Sequence, residues 1–84
     1  MRWTVTWVPA AQNALADIWN NAPDRADVTA AANRMDANLR RDPYAHSESR
    51  SGTARVMLQP PLGVSFDVSD ADRLVTVRAV WRTQ

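Results

Sequence analysis

Several features that define common protein classes are missing from this chain. None of its 84 residues is cysteine, which excludes disulfide bonds and thiolate metal sites and predicts a cytoplasmic protein. No apolar run approaches the roughly 20 residues that a membrane-spanning helix requires. The first residues alternate in polarity, unlike a signal peptide. These absences exclude a thiolate-bound metal and a membrane-spanning helix, and we also expect a function that uses no metal and no other cofactor.

Lysine is also absent, because all ten basic residues are arginine. The net charge of +1 at pH 7 is too small to be the general electrostatic footprint of a nucleic-acid-binding protein. Any binding of an anion must therefore come from local clustering of guanidinium groups, and not from the field of the whole molecule.

Hydrophobic periodicity divides the chain, which is short enough for one domain over residues 1–84, into helices and strands. Strands are predicted where polar and apolar residues alternate, and helices where apolar residues recur every three or four positions. Pro9 and Pro23 are well placed to begin the two helices. The predicted elements are a strand at residues 2–8, helices at about 9–21 and 23–41, a loop at 42–52, and strands at about 53–59, 62–69 and 74–82.

This order of elements predicts a two-layer α+β domain of the form β-α-α-β-β-β. The apolar stripes of the helices must be buried against the apolar face of the sheet, so we expect a helical hairpin packed on a largely antiparallel four-stranded sheet. Trp3, Trp7 and Trp81 fall on the apolar phase of their strands, and Trp19 falls on the apolar stripe of its helix. Core packing is therefore expected for the indoles, and base stacking, which would need exposed rings, is the alternative.

The spacing of the arginines in the last three predicted strands indicates a sheet face that carries guanidinium groups. Arg78 and Arg82 lie four residues apart, and residues at even spacing in a strand share one face. Arg55 falls on the polar phase of its own strand, so the three arginines are expected to form one surface for phosphate or carboxylate. The alternative is a solvated face or one that contacts an acidic protein segment. Met57 and Val80 would be apolar residues within this face, which a bound protein could cover.

Proton transfer at such a face needs another group, because arginine keeps its proton. His46 and Glu48, both in the loop at residues 42–52, are the remaining candidates for a general base, and histidine exchanges protons near neutral pH. The alternatives are an ordinary surface histidine and a carboxylate that pairs with Arg50 or Arg55. Asp67 is predicted to point toward the arginines and to neutralise them.

Five stretches, taken in their order and spacing, carry a resemblance that covers nearly the whole chain. They are Trp7-Val8-Pro9-Ala10-Ala11, Leu39-Arg40-Arg41-Asp42-Pro43, Glu48-Ser49-Arg50, and Pro61-Leu62-Gly63-Val64-Ser65-Phe66-Asp67-Val68 followed by Val75-Thr76-Val77. Together they make the chain similar to toxins of the RelE/ParE superfamily, which belong to type II bacterial toxin–antitoxin systems. The resemblance implies a cognate antitoxin protein, a segment of which wraps the toxin and blocks it.

The resemblance implies one of two activities. Toxins of the RelE kind are ribosome-dependent endoribonucleases that cleave messenger RNA without a metal, through attack of the 2′-hydroxyl on the adjacent phosphate. Toxins of the ParE kind inhibit DNA gyrase and keep no such site. The leading hypothesis is RelE-like mRNA cleavage, with the ribosome and mRNA as partners. A ParE-like gyrase inhibitor and a non-toxic binding module are the alternatives.

Matching positions imply the roles of individual residues. Basic residues of the ribonuclease branch correspond to Arg50, Arg55 and Arg82, and some members place an acidic residue in the loop that contains Glu48. The predicted catalytic residues are therefore Arg55, Arg82 and Glu48, together with His46, which is chosen by elimination and not by a matching position. The predicted nucleic-acid-binding residues are Arg50, from its match, and Arg78, from its place on the polar phase of its strand.

Three departures from the ribonuclease branch stand out, and one is that the lysines common in its site are absent here. The missing tyrosine described below and the near-neutral net charge favour the gyrase alternative. The arginine that this branch often carries early in its third strand corresponds here to Leu62-Gly63. The tyrosine or histidine that often follows the last strand has no counterpart, since only Thr83 and Gln84 come after Arg82.

Overall fold

The chain folds into a helical hairpin and one sheet, as seen in a computed structural model that describes residues 2–84. The elements are β1 (Thr4–Trp7), α1 (Pro9–Asn21), α2 (Arg25–Arg41), β2 (Ser47–Ser49), β3 (Ala54–Gln59), β4 (Leu62–Ser69) and β5 (Leu74–Arg82). The strand order is β1-β5-β4-β3-β2, and β1 pairs with β5 in parallel while the other pairs are antiparallel. No helix within residues 2–84 has the length and apolar character needed to cross a membrane.

The predicted α+β architecture is confirmed, but the predicted count of four strands is wrong. The fifth strand, β2, lies inside the stretch that was expected to be a loop, and it pairs with β3. Its three residues are two serines and a glutamate, so they show no polar–apolar alternation from which a strand can be predicted.

Arg25 closes the helical hairpin. Its guanidinium donates hydrogen bonds to the carbonyl oxygens of Trp19 (3.0 Å) and Asn20 (2.8 Å), which satisfies acceptors at the end of α1 that have no partner within the helix. The guanidinium also lies 4.7 Å from the centroid of the Trp19 ring. Trp19 is 41 % exposed, so its predicted place in the core is wrong.

The core lies between the helical hairpin and one face of the sheet, which we call the helix face; the opposite face is the outer face. Apolar residues with almost no exposure come from α2, β4 and β5. They include Val28, Met35, Leu39, Leu62, Val64, Phe66, Val75 and Val77. Each such side chain contributes about 1.5–3 kcal/mol of stability relative to an exposed position, so α2, β4 and β5 supply the centre of the core.

A β-bulge reverses the phase of the last residues of β5. The pairing of β4 with β5 shifts between Ser65 and Phe66, which leaves Arg78 as the extra residue. Side chains beyond a bulge point to the opposite face from the one that simple alternation assigns. Val80 is therefore buried on the helix face, and Trp81 is 36 % exposed on the outer face. The predicted orientation of both residues is wrong.

The phase of β3 is also the reverse of the prediction. Met57 pairs with Val64 of the core and is buried, although it was predicted to lie on the polar phase. Val56 and Leu58 point to the outer face instead. Because both phases of this strand contain apolar residues, alternation alone cannot determine which of them is buried.

Candidate functional site

The three arginines that were predicted to share one face do not do so. Arg55 lies directly opposite Phe66 in the ladder, and Arg82 lies opposite Leu62, so both extend from the helix face. Arg78 alone among the three is on the outer face. The prediction of one guanidinium surface is wrong because the bulge in β5 and the phase of β3 turn Arg55 and Arg82 toward the helices.

Arg82 connects the end of β5 to the start of α2. Its Nη2 donates to both carboxylate oxygens of Asp24 at 2.7 Å, and its Nε donates to the carbonyl oxygen of Gln84 at 2.7 Å. The hydrogen bonds from Arg82 hold the pKa of Asp24 below its ordinary value of 3.8, against the smaller opposing effect of burial. The guanidinium predicted to be catalytic is thus part of an ion pair between two elements of the fold.

Arg78 and Asp67 form an ion pair on the outer face, which confirms the prediction that Asp67 neutralises an arginine. Asp67 also accepts a hydrogen bond from the hydroxyl of Thr53 at 3.4 Å. The Arg78 side chain is 60 % exposed, and surface pairs of this kind contribute about 0–1 kcal/mol. Arg78 therefore remains accessible to an anion that can compete with Asp67.

A groove of about 300 Å³ lies on the outer face near the edge formed by β2; we call it the outer groove. Strand alternation points Glu48 into it, while Ser47 and Ser49 on either side point to the helix face. Apolar side chains from β3 and β5 line one part of the groove, and ionisable side chains from β2 and its flanks line the other. The lining residues are His46, Glu48, Arg50, Val56, Leu58 and Trp81.

Trp81 is held over the sheet because Gly63 lies opposite it. The two residues are direct partners in the β4–β5 ladder, and a Cβ atom at Gly63 would come within 2.6 Å of the indole. An aromatic side chain that covers a cross-strand glycine is a stable arrangement in β-sheets. The glycine therefore allows the ring to lie close to the backbone while its other side borders the outer groove.

Glu48 and Arg50 form an ion pair of 3.2 Å at the rim of the outer groove, and an exposed pair of this kind is weak enough to leave both groups available to a ligand. Their side chains are 79 % and 53 % exposed, and His46 is exposed as well. A carboxylate, an imidazole and a guanidinium thus border one groove. Such groups can accept a proton, donate a proton and stabilise a phosphate.

Arg55 contacts β2 from the helix face. Its Nε donates to the hydroxyl oxygen of Ser47 at 2.7 Å, and its Nη2 donates to the carbonyl oxygen of Ser47 at 3.0 Å. The guanidinium lies 4.9 Å from the centroid of the Tyr44 ring. The Tyr44 hydroxyl donates to Asp70 at 2.6 Å, and this hydrogen bond raises the pKa of Tyr44 above its ordinary value.

The ionisable part of the outer groove could be predicted from the sequence, and its apolar part could not. One sequence signal for the position of Trp81 exists: Val75 and Val77 are followed by Val80, and this odd spacing indicates a bulge. Within residues 2–84, no three His, Asp or Glu side chains are grouped so that they could hold a metal ion.

No family model and no curated protein matches this sequence, but solved structures match its fold. One is a chain of the toxin–antitoxin complex RelBE2 from Mycobacterium tuberculosis, with a TM-score of 0.80, 15 % identity, and coverage of 98 % of this chain and 99 % of that one. Another is a chain of the chromosomal ParDE TA system from P. aeruginosa, with a TM-score of 0.70, 14 % identity, and coverage of 98 % and 97 %. The expected RelE/ParE fold is confirmed by these two similarities.

Proposed function

We propose that this protein is the toxin of a type II toxin–antitoxin pair and that it cleaves messenger RNA at the outer groove. The toxin role is supported by the fold shared with chains of RelBE2 and ParDE. One observation carries the choice of activity: the groove brings His46, Glu48 and Arg50 together beside the exposed indole of Trp81.

The groups at the groove match the needs of RNA cleavage by the neighbouring 2′-hydroxyl. Glu48 accepts the 2′ proton while the 2′ oxygen bonds to phosphorus, and the bond from phosphorus to the 5′ oxygen breaks. His46 in its protonated form donates a proton to that leaving oxygen. Arg50 stabilises the negative charge of the crowded phosphate, and Trp81 stacks on an adjacent base. The products are a 2′,3′-cyclic phosphate and a 5′-hydroxyl.

Cleavage is expected to depend on the ribosome. The net charge is only +1, and Arg50 already pairs with Glu48, so the protein has little electrostatic attraction for free RNA. An mRNA that the ribosome holds in place would need few additional phosphate contacts, since positioning is then supplied by the ribosome.

Pulse labelling after induced expression in bacteria tests the proposal, together with primer extension on a translated mRNA. We expect protein synthesis to stop first and new mRNA 5′ ends to appear. Glu48→Gln should slow cleavage by about 10²–10⁴-fold, because it removes the proton acceptor. Asp36→Asn is the matched control, since it removes a carboxylate that pairs with Arg40 on the surface of α2. Full toxicity of Glu48→Gln would contradict the assignment.

A non-enzymatic gyrase inhibitor is the second candidate. Arg55 and Arg82 favour this candidate because their guanidinium groups are bonded to Ser47 and Asp24 within the protein. Of the arginines predicted to bind or cleave RNA, Arg50 is the one that lines the groove. In this case DNA synthesis stops before protein synthesis, and Glu48→Gln remains toxic. Expression without growth arrest would contradict both activities and favour a non-toxic binding module.

The antitoxin is expected to cover the outer groove. Leu58 is 61 % exposed, and with Trp81 it presents apolar surface next to charged groups, a combination that is typical of protein-binding sites. An antitoxin segment at this position would block access of RNA to Glu48 and His46.

A further inference from the structure

We propose that Arg55 is a positioning residue for the outer groove: from the helix face it fixes β2 so that Glu48 and His46 point into the groove. The effect on cleavage rests on the proposed function, whereas the effect on β2 does not. The inference replaces the expected role of Arg55 as a phosphate ligand, which would require its guanidinium on the other face of the sheet.

The contacts of Arg55 converge on one residue of β2. The guanidinium donates to both the side-chain hydroxyl and the backbone carbonyl of Ser47. The Ser47 hydroxyl in turn donates to the carbonyl oxygen of Pro43 at 2.6 Å, and Pro43 is buried. Arg55 therefore links β3 to β2 and, through Ser47, to the chain that precedes β2.

Aromatic side chains hold the guanidinium in this orientation. The Arg55 guanidinium lies over the ring of Tyr44, and the Tyr44 hydroxyl donates a hydrogen bond to Asp70 in the turn between β4 and β5. The Trp3 ring meets Tyr44 edge to face, with centroids 6.0 Å apart. The planar guanidinium can thus stack on Tyr44 and donate two bonds in one plane, which an ammonium group cannot do.

The edge strand needs such support because it is short. β2 has three residues and pairs only with β3, and strands of this length are marginal without further contacts. Adjacent side chains of a strand point to opposite faces. Fixing Ser47 on the helix face therefore fixes the directions of His46 and Glu48 on the outer face.

The test combines amide hydrogen exchange with cleavage of ribosome-bound mRNA, using the full chain. In Arg55→Lys and Ser47→Ala we expect exchange at residues 47–50 to accelerate on the order of tenfold, while β4 and β5 stay protected. Ser47→Ala retains Arg55 and keeps the test valid if changes at Arg55 impair folding. Arg34→Ala is the control, since it removes an exposed arginine of α2 far from β2 in the sequence.

In the cleavage assay, Arg55→Lys should lower kcat on the order of tenfold with little change in KM, because the catalytic groups are misplaced while RNA contacts remain. Ser47→Ala should lower kcat to a similar extent. Because both residues act through the same contact, the double variant should lower kcat no more than the more severe single variant does. If Arg55→Lys instead cleaves RNA as fast as the wild type and leaves amide exchange in β2 unchanged, the proposal is overturned in favour of Arg55 as a phosphate ligand. If the wild type cleaves no RNA, the proposed function fails while the exchange result still decides the role of Arg55.

Discussion

At the scale of single residues, the absence of a side chain at Gly63 determines where the Trp81 indole lies. A Cβ at this position would approach the ring to 2.6 Å, so Gly63→Ala must displace the indole. We expect a loss of about 1–3 kcal/mol in the free energy of unfolding, as is typical of overpacked positions. Urea denaturation measures the loss, and Trp fluorescence reports the displaced ring.

A double-mutant cycle separates this contact from other effects of the substitution. In the Trp81→Ala background the clash is absent, so Gly63→Ala should then cost less than about 0.5 kcal/mol. An equal cost in both backgrounds would show that backbone strain, and not the indole, is responsible. In the separate assay of RNA cleavage, Trp81→Phe retains an aromatic ring and is the conservative control for stacking of Trp81 on an RNA base.

The chemistry of the residues could be predicted from the sequence, but the side of the sheet to which each points could not. His46 and Glu48 stood out because the chain contains one histidine and one glutamate, and Arg50 stood out because it matches a basic position of the ribonuclease branch. The orientation of Arg55 depends on the phase of β3, where Val56 and Met57 are equally suited to burial. Tertiary packing decides between the two phases, and a local pattern contains no information about it.

At the scale of elements, the ion pair of Asp24 with Arg82 makes the junction of α2 with β5 sensitive to acid. Because Arg82 lowers the pKa of Asp24, the folded protein keeps this carboxylate charged at pH values where the unfolded chain takes up a proton. The resulting stability is fully present above the ordinary pKa of 3.8 and is lost as the pH falls through and below that value.

Asp24→Asn should therefore flatten the dependence of unfolding free energy on pH below about pH 4. Urea denaturation from about pH 6 to about pH 2 measures this dependence. Asp36→Asn is the control, because its ion pair with Arg40 joins two residues of the same helix. Identical pH slopes for Asp24→Asn and the wild type would rule out this pair as the source of the acid sensitivity.

Helices and strands with a clear hydrophobic periodicity were predicted with bounds that differ by no more than two or three residues from those in the structure. α1 begins at Pro9 as expected, and β4 spans Leu62–Ser69 as expected. α2 begins at Arg25 and not at Pro23, because the carbonyl of Asp24 accepts the first helical hydrogen bonds. β2 and the bulge could not be predicted, since both depend on pairing with residues distant in sequence.

At the scale of the whole molecule, a partner is expected to add to a modest stability. A chain of this size buries only about 60–65 % of its unfolded surface. A partner whose free concentration is 100 times its Kd adds about 2.7 kcal/mol to the free energy of unfolding. This corresponds to a rise in Tm of about 10–20 °C for a small domain. The partner to use in this measurement is the proposed antitoxin, and a short neighbouring gene that encodes a DNA-binding segment with an amphipathic tail would be the candidate to express.

Leu58→Glu tests whether that partner occupies the outer groove. Leu58 is 61 % exposed, so the substitution should change the stability of the free protein by no more than about 0.5 kcal/mol. In the complex it would place a second carboxylate beside Glu48 and remove apolar contact, so the partner-induced rise in Tm should fall by at least half. Ala37→Glu, at an exposed position of α2, should leave that rise unchanged. If Ala37→Glu reduces the rise and Leu58→Glu does not, the partner binds the helices, and the outer groove stays open to RNA in the complex.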